Sequence, residues 1–340
     1  MTGHVVLRAG AYSIRVARRP VVASLALVAA ALVVGFVALC FGASWSHPME
    51  VLAALAGQGD SVVVIRDWRL PRVAAALIFG AALGLAGAIF QNLTRNALGS
   101  PDVIGLDAGS YTGALFAITV LSSTPAQLAV SSAAGGLAAA AAVYFLSLRS
   151  GLSGMRLIVI GIAVNAMLTA VNSWIVLRAE LEVAMAATGW SAGSLNGVDW
   201  AELALPFGVI GALALLLVAL APGMHQTGLG DDLAVASGVR LNPLRLLLVL
   251  AGVGCTATVT AVAGPIVFIA LAAPQIGRLL AGTSGVALLP AALTGGVLLL
   301  AADLVAQVLF APVALPVGVV TTVIGGGYLI WLLVRKAGRA

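Results

Sequence analysis

The sequence predicts an all-α, polytopic membrane protein with about ten crossing helices, and three observations carry that prediction. The 340 residues are 61% hydrophobic and 9% charged, where a soluble domain carries roughly 25% charged residues. Uninterrupted apolar runs such as Val21–Phe41, Leu203–Ala221 and Leu244–Ala263 approach or exceed the roughly 20 residues a helix needs to cross the hydrocarbon core. Most of the charge falls in short patches between such runs. No alternation of apolar and polar residues recurs along the chain, which argues against an outer-membrane barrel.

Residues 1–20 read as a cytoplasmic basic tail. One membrane domain follows over 21–335, with no linker inside it. Crossing segments are expected near 21–43, 71–92, 103–121, 126–148, 156–178, 201–221, 243–263, 265–281, 287–310 and 316–335. The first is too long and too poorly bounded for a cleaved signal peptide. Leu39 stands before Cys40 where a lipoprotein site needs a small residue. The eighth segment is short and carries Pro274, as a broken or incomplete span would. Gly80 and Gly84 are four apart, as are Gly105, Gly109 and Gly113, a spacing that lets helix backbones approach closely in lipid.

Arginine asymmetry sets the expected orientation. Only Arg66, Arg69, Arg72 and Arg178 fall in the proposed outer segments, and the other basic residues fall inside. Both termini are therefore expected in the cytoplasm. Trp45, Trp68, Trp190 and Trp200 fall at the outer boundary and Trp331 at the inner one, where indoles prefer to sit.

Several functions are excluded. Lys336 is the sole lysine, so no phosphate loop exists and the chain cannot hydrolyse ATP. His4, His47 and His225 are far apart, so no metal cluster and no catalytic site is expected. The arginines sit at helix ends with no interleaved aromatics, which argues against nucleic acid. Cys40 and Cys255 lie in apolar runs and are expected as buried free thiols.

Five stretches remain as candidates. Arg66-Asp67-Trp68-Arg69-Leu70-Pro71-Arg72 places three arginines on the outer face, against the orientation rule. They serve either snorkelling to lipid headgroups or docking of a partner's carboxylates. Thr94–Asp102 is a polar inner turn shaped by Asn96 and Pro101. The loop 222–243 carries Leu229-Gly230-Asp231-Asp232-Leu233-Ala234-Val235-Ala236-Ser237-Gly238, a short helix with acidic residues in its first turn and glycine at its end. It either lies on the membrane or docks a motor. Asn165, Thr169 and Asn172 share one face of the fifth span, either as helix–helix hydrogen bonds or as a wet path. Asp303, with Gln307 four residues on, is an intramembrane carboxylate, costly to bury and a mark of function unless a neighbouring helix end satisfies it. No network around Asp303 is evident from sequence, and an ion-gradient transporter using it is the rival reading.

Taken together these stretches resemble the FecCD-type permeases of ABC importers for iron–siderophore complexes, haem and vitamin B12. The resemblance rests on Arg69-Leu-Pro-Arg72, Gly80-Ala-Ala-Leu-Gly-Leu-Ala-Gly87, Gln91, Asn96 to Gly105, Leu229-Gly230-Asp231, Ala263-Gly-Pro-Ile-Val-Phe268, Pro274, Ala302-Asp303 and Leu315-Pro-Val-Gly-Val-Val320. It runs from about residue 20 to the C-terminus. It implies a dimeric ten-helix permease in the cytoplasmic membrane, with helices two to five repeated as an inverted copy in helices seven to ten. Two ATPase subunits would bind below and a siderophore-binding protein above, with ATP–Mg held by the ATPases and no cofactor in this chain. The family's docking arginines fall on Arg69 and Arg72. Its coupling helix falls on about Gly228–Val239, with Gly228, Leu229, Gly230, Asp231, Asp232, Leu233, Ala234, Ser237 and Gly238. Its gate falls on Asn96 and Leu98 with the turn Ser153-Gly154-Met155, and its path on Asn165, Thr169 and Asn172. The chain departs from the family where Asn-Ala-Leu-Gly replaces Asn-Pro-Leu-Ala, where Gln275 follows Pro274, and where Gln307 replaces a docking arginine. The C-terminal half looks like a permease of the ferric enterobactin system, which uses two different permeases. The resemblance therefore implies a heterodimer and a catecholate siderophore.

Overall fold

The computed structural model describes residues 4–9, 12–42, 45–121, 124–148, 154–283, 285–311 and 313–337. A hairpin comes first, β1 (His4–Ala9) paired antiparallel with β2 (Tyr12–Ala17), with Val5 opposite Val16 and Leu7 opposite Ile14. The helices follow as α1 (Arg18–Cys40), α2 (Pro48–Leu55), α3 (Leu70–Thr94), α4 (Leu106–Val120), α5 (Pro125–Leu148), α6 (Gly154–Arg178) and α7 (Leu181–Ser191). Then come α8 (Trp200–Thr227), α9 (Asp231–Ala236), α10 (Leu241–Ala263), α11 (Ile269–Ala281), α12 (Leu288–Val308) and α13 (Val317–Ala337). A turn of π-helix, Val64–Arg69, runs directly into α3, and a 3₁₀ turn, Pro101–Ile104, precedes α4.

Each of the ten predicted segments holds one helix. Among the described residues seven helices are long and apolar enough to cross a bilayer, and the chain is an integral membrane protein. The expected third and eighth spans come out short, α4 at 15 residues and α11 at 13. At about 1.5 Å per residue neither spans roughly 30 Å of hydrocarbon. Both follow a non-helical stretch with left-handed backbone: Arg95 and Gly105 before α4, Gly264 and Phe268 before α11. A long helix, a broken segment and a short helix thus occur twice, in α3–α4 and in α10–α11. Gly105 was grouped with the helix-packing glycines, but it sits at φ +79° ahead of α4. The tail holds the β1–β2 hairpin, whose second strand alternates Tyr12, Ile14 and Val16 with Ser13 and Arg15. That alternation is too local to register in a search for recurring strands.

The core is built around α3, whose spanning stretch is mostly buried. It packs on α12 almost backbone to backbone. A Cβ on Gly80 would run into the carbonyl of Gly295, and one on Gly84 into that of Ala291. Side chains that would clash at this seam are absent, so apolar burial comes from either side of it, with Phe79, Leu83, Leu299 and Leu300 fully enclosed. α10 and α11 close the rest of α3. α1, α6 and α8 lie outside and turn leucine, valine and tryptophan outward, among them Leu32, Trp174 and Leu215, as a lipid-facing surface should.

Candidate functional site

α3 is about 37 Å long at 1.5 Å rise for its 25 residues, and charged groups gather at its two ends. At its start the arginines turn inward. Arg72 donates from Nε to Asp303 Oδ2 and from Nη2 to Asp303 Oδ1, both at 2.8 Å. Asp303 is 1% exposed and Arg72 16%. Gln307 Nε2 donates to Asp303 Oδ2 at 2.9 Å, one helical turn along α12. The carboxylate is therefore held by three donors, and the expectation that it stands without a network is corrected. The planar guanidinium explains the geometry, since its fork matches both oxygens at once. Arg69 Nη1 donates to Leu39 O at 2.8 Å, Cys40 O at 3.1 Å and Ser46 Oγ at 3.0 Å. It satisfies carbonyls left open at the end of α1. Both arginines thus contribute to packing within the chain. They also border an open cavity of about 750 Å³ with Trp68, Asp199 and Gln307. Arg66 is the exposed member of the triplet.

At the far end, α3 stops at Arg95, whose backbone is left-handed at φ +50°. Asn96 Oδ1 accepts from Leu98 N at 2.9 Å, a side-chain turn of the kind asparagine favours. Leu98 itself is exposed. Ser153, the third predicted gate residue, lies outside the described residues. Gly154 and Met155 begin α6, but their side chains also lie outside that description.

The short helix expected over Leu229–Gly238 is α9, six residues long from Asp231 to Ala236, with Asp231 and Asp232 in its first turn as expected. Gly230 at φ +116° and Gly238 at φ +89° bracket it, in backbone that other residues rarely adopt. Ala234 is its buried contact, and Ser237 Oγ donates to Gln226 Oε1 at 2.8 Å. Leu229, Leu233 and Val235 are 72%, 61% and 57% exposed, an apolar cluster beside exposed Asp232 and Gly228. Asp231 reaches back into the bundle, receiving Arg95 Nη2 on Oδ1 and Arg245 Nη2 on Oδ2, each at 2.7 Å. A cavity of about 370 Å³ opens here, between Asn96, His225, Leu229 and Arg278. Arg278 Nη2 donates to Gln91 Oε1 at 2.8 Å, and Gln91 Nε2 to Leu271 O at 2.9 Å.

The polar stripe of α6 divides in two. Asn172 is buried, accepts from Thr112 Oγ1 at 2.8 Å and donates to Ala108 O at 2.9 Å, tying α6 to α4. Asn165 and Thr169 line an open pocket of about 230 Å³ with Asn172, Tyr111 and Asp107. Sequence reasoning missed Asp107, whose carboxylate is shielded and lies beside Thr260 and Asp102. Its signal was an acidic residue inside the third apolar run, hidden by the neighbouring polar turn. Arg245 was counted only as an inner charge, because its pairing with Asp231 depends on how the loop folds back. Among the described residues no group of three His, Cys, Asp or Glu could hold a metal ion, and both cysteines are free and buried.

Similar proteins give this arrangement a context. The chain is 46% identical over 328 residues to the ferric enterobactin transport system permease protein of Escherichia coli, covering 96% of this chain and 99% of that one. It is 35% identical to an Fe(3+)-citrate import system permease protein of Bacillus subtilis, over 95% and 97% of the two chains. A cobalamin import system permease protein of Halobacterium salinarum is also 35% identical, over 82% and 75%. A solved structure described as a metal-chelate type ABC transporter in an inward-facing conformation superposes with a TM-score of 0.81 at 29% identity, covering 92% of this chain and 98% of that one. Residues 29–335 match the FecCD transport family, so the chain belongs to that family of ABC importer permease subunits, which move solutes with ATP hydrolysed by a separate subunit.

Proposed function

We propose that the chain is one permease subunit of an importer for ferric siderophores, with a catecholate complex as its substrate. The observation that carries the mechanism is α9, a helix held on glycine hinges with Leu229, Leu233 and Val235 turned to solvent. An apolar cluster of this kind on an integral membrane protein, outside the spans, suits a protein partner. In this reading α9 and both termini face the cytoplasm and α9 seats an ATPase subunit. The opposite end, with Arg66, Arg69 and Arg72, receives the binding protein. The identity to the enterobactin permease over nearly the whole of both chains supports the substrate class.

A second permease completes the path. The spanning stretch of α6 is only 11% buried, and its open polar residues Asn165 and Thr169 suit a path shared with a partner. Gln307 in place of a docking arginine favours a non-identical partner, which would supply the missing charge. The rival ion-gradient reading loses its coupling group, since Asp303 is engaged by Arg72 and Gln307.

Proteoliposomes holding this chain, the partner permease, the ATPase and the binding protein should take up labelled ferric catecholate only with ATP. Uptake of cobalamin or haem instead would reassign the substrate, and uptake on a proton gradient without nucleotide would overturn the importer reading. Leu233→Asp should release the ATPase on co-purification while the permease still inserts. Retention of the ATPase would remove α9 from that role.

A further inference from the structure

The end of α3 and the turn after it are tied directly to three other helices by side chains, and through Asp231 to a fourth. Thr227 Oγ1, at the end of α8, donates to Asn92 Oδ1 at 3.3 Å. Gln275 Nε2 on α11 donates to Ala97 O. Asp231 on α9 takes Arg95 on one oxygen and, with the other, Arg245 on α10. Of these ties, only the last includes a residue of the short helix that carries the exposed apolar cluster. It is also a three-body arrangement: one carboxylate, two guanidiniums, three separate elements.

A decorative surface pair does not fit the backbone around it. Arg95 adopts a left-handed conformation that costs a side-chain-bearing residue, and it is the residue whose guanidinium meets Asp231. Gly230, immediately before Asp231, sits at φ +116° and allows the chain to reverse into α9 with the carboxylate toward α3. The pairing is also open to water. Asp231 is 40% exposed and Arg95 59%, whereas Arg245 is 23% exposed. Exposed pairs contribute little to stability, so this one is poorly suited to holding the fold. It is well suited to a contact that must bear force and yet be made and broken. The less exposed Arg245 anchors Asp231 to α10. The more exposed Arg95 carries the motion onward to Asn96 and Leu98.

We propose that Asp231 is a positioning residue that couples displacement of α9 to the Arg95–Leu98 turn, with Arg245 as the fixed arm and Arg95 as the moving one. The proposal rests on the reading that α9 receives the ATPase. It adds the specific link by which a push on α9 reaches the inner turn. Allostery of this kind needs an element that both sites bias, and here that element is the turn itself.

The test uses the complete reconstituted transporter with Leu98→Cys as a reporter, since Cys40 and Cys255 are buried. Maleimide labelling of Leu98→Cys is measured with and without ATP and vanadate, beside ATPase co-purification, hydrolysis and uptake. For Asp231→Asn, uptake and labelling are normalised to the ATPase bound and the ATP hydrolysed. The variant should lose the nucleotide-dependent change in labelling and reduce uptake by about tenfold, inside the range typical of coupling between sites. Arg95→Ala should reproduce this, Arg245→Ala should give a smaller loss, and Asp231→Glu should restore much of the uptake. Normal labelling and uptake in Asp231→Asn would overturn the proposal, as would loss of ATPase binding in that variant. Leu233→Asp separates the two ideas: if it fails to release the ATPase, the seat on α9 falls, whatever Asp231 does.

Discussion

The two ends of α3 carry ion pairs of opposite design. Arg72 and Asp303 are enclosed, bidentate and assisted by Gln307, whereas Asp231 stands in water between Arg95 and Arg245. Burial makes the first pair indispensable once formed, because a lone charge left at 1% exposure has no solvent to replace its partner. Exposure leaves the second pair nearly free of that penalty, so it can open without unfolding anything. One end of the helix is fastened and the other is articulated, although both use the same two side-chain types.

The sharpest way to break the contrast is Arg72→Ala, which strands the Asp303 carboxylate. It should cost about 3–5 kcal/mol, read as a large drop in thermal unfolding temperature in detergent, and Arg72→Met with Asp303→Leu should recover most of it. A wild-type melting temperature in Arg72→Ala would erase the distinction between the ends. Next comes Gln307→Leu, which removes one hydrogen bond to a charged group at a loss of about 1.5 kcal/mol. The smallest stability effect belongs to Asp231→Asn, under about 1 kcal/mol. That difference should fade toward zero in roughly 1 M salt, where the Debye length is near 3 Å, while the Arg72→Ala deficit persists. Melting curves of each variant at low and high salt would test both halves.

Much of this was legible in the sequence. Apolar run length placed a helix in each of the ten expected segments but not α2 or α7, a short run with Pro274 marked the incomplete eighth span, and the Asp231-Asp232 and Gly238 signals placed α9 within a few residues. The partners of the charges were not legible. Asp303 meets Arg72 across 231 residues and Arg95 meets Asp231 across 136, and no local pattern reports such pairings. Arg69 and Arg72 read from sequence as arginines at a helix start, and that they also bond the end of α1 and the buried carboxylate on α12 depends on distant parts of the fold. Asn172 illustrates the middle ground: helical spacing put it on the right face, but only the position of α4 shows that it bonds Ala108 and Thr112.

The seam between α3 and α12 has a mechanical meaning. Where Gly80 and Gly84 face Gly295 and Ala291, there is no layer of side chains to change rotamer and absorb a slide. The two helices behave as one spar, pinned by Arg72 and Asp303 at one tip. Such a body can tilt or rotate as a whole but cannot shear along its length. A tilt of this spar moves both of its tips together, Arg72 at one and Arg95 at the other.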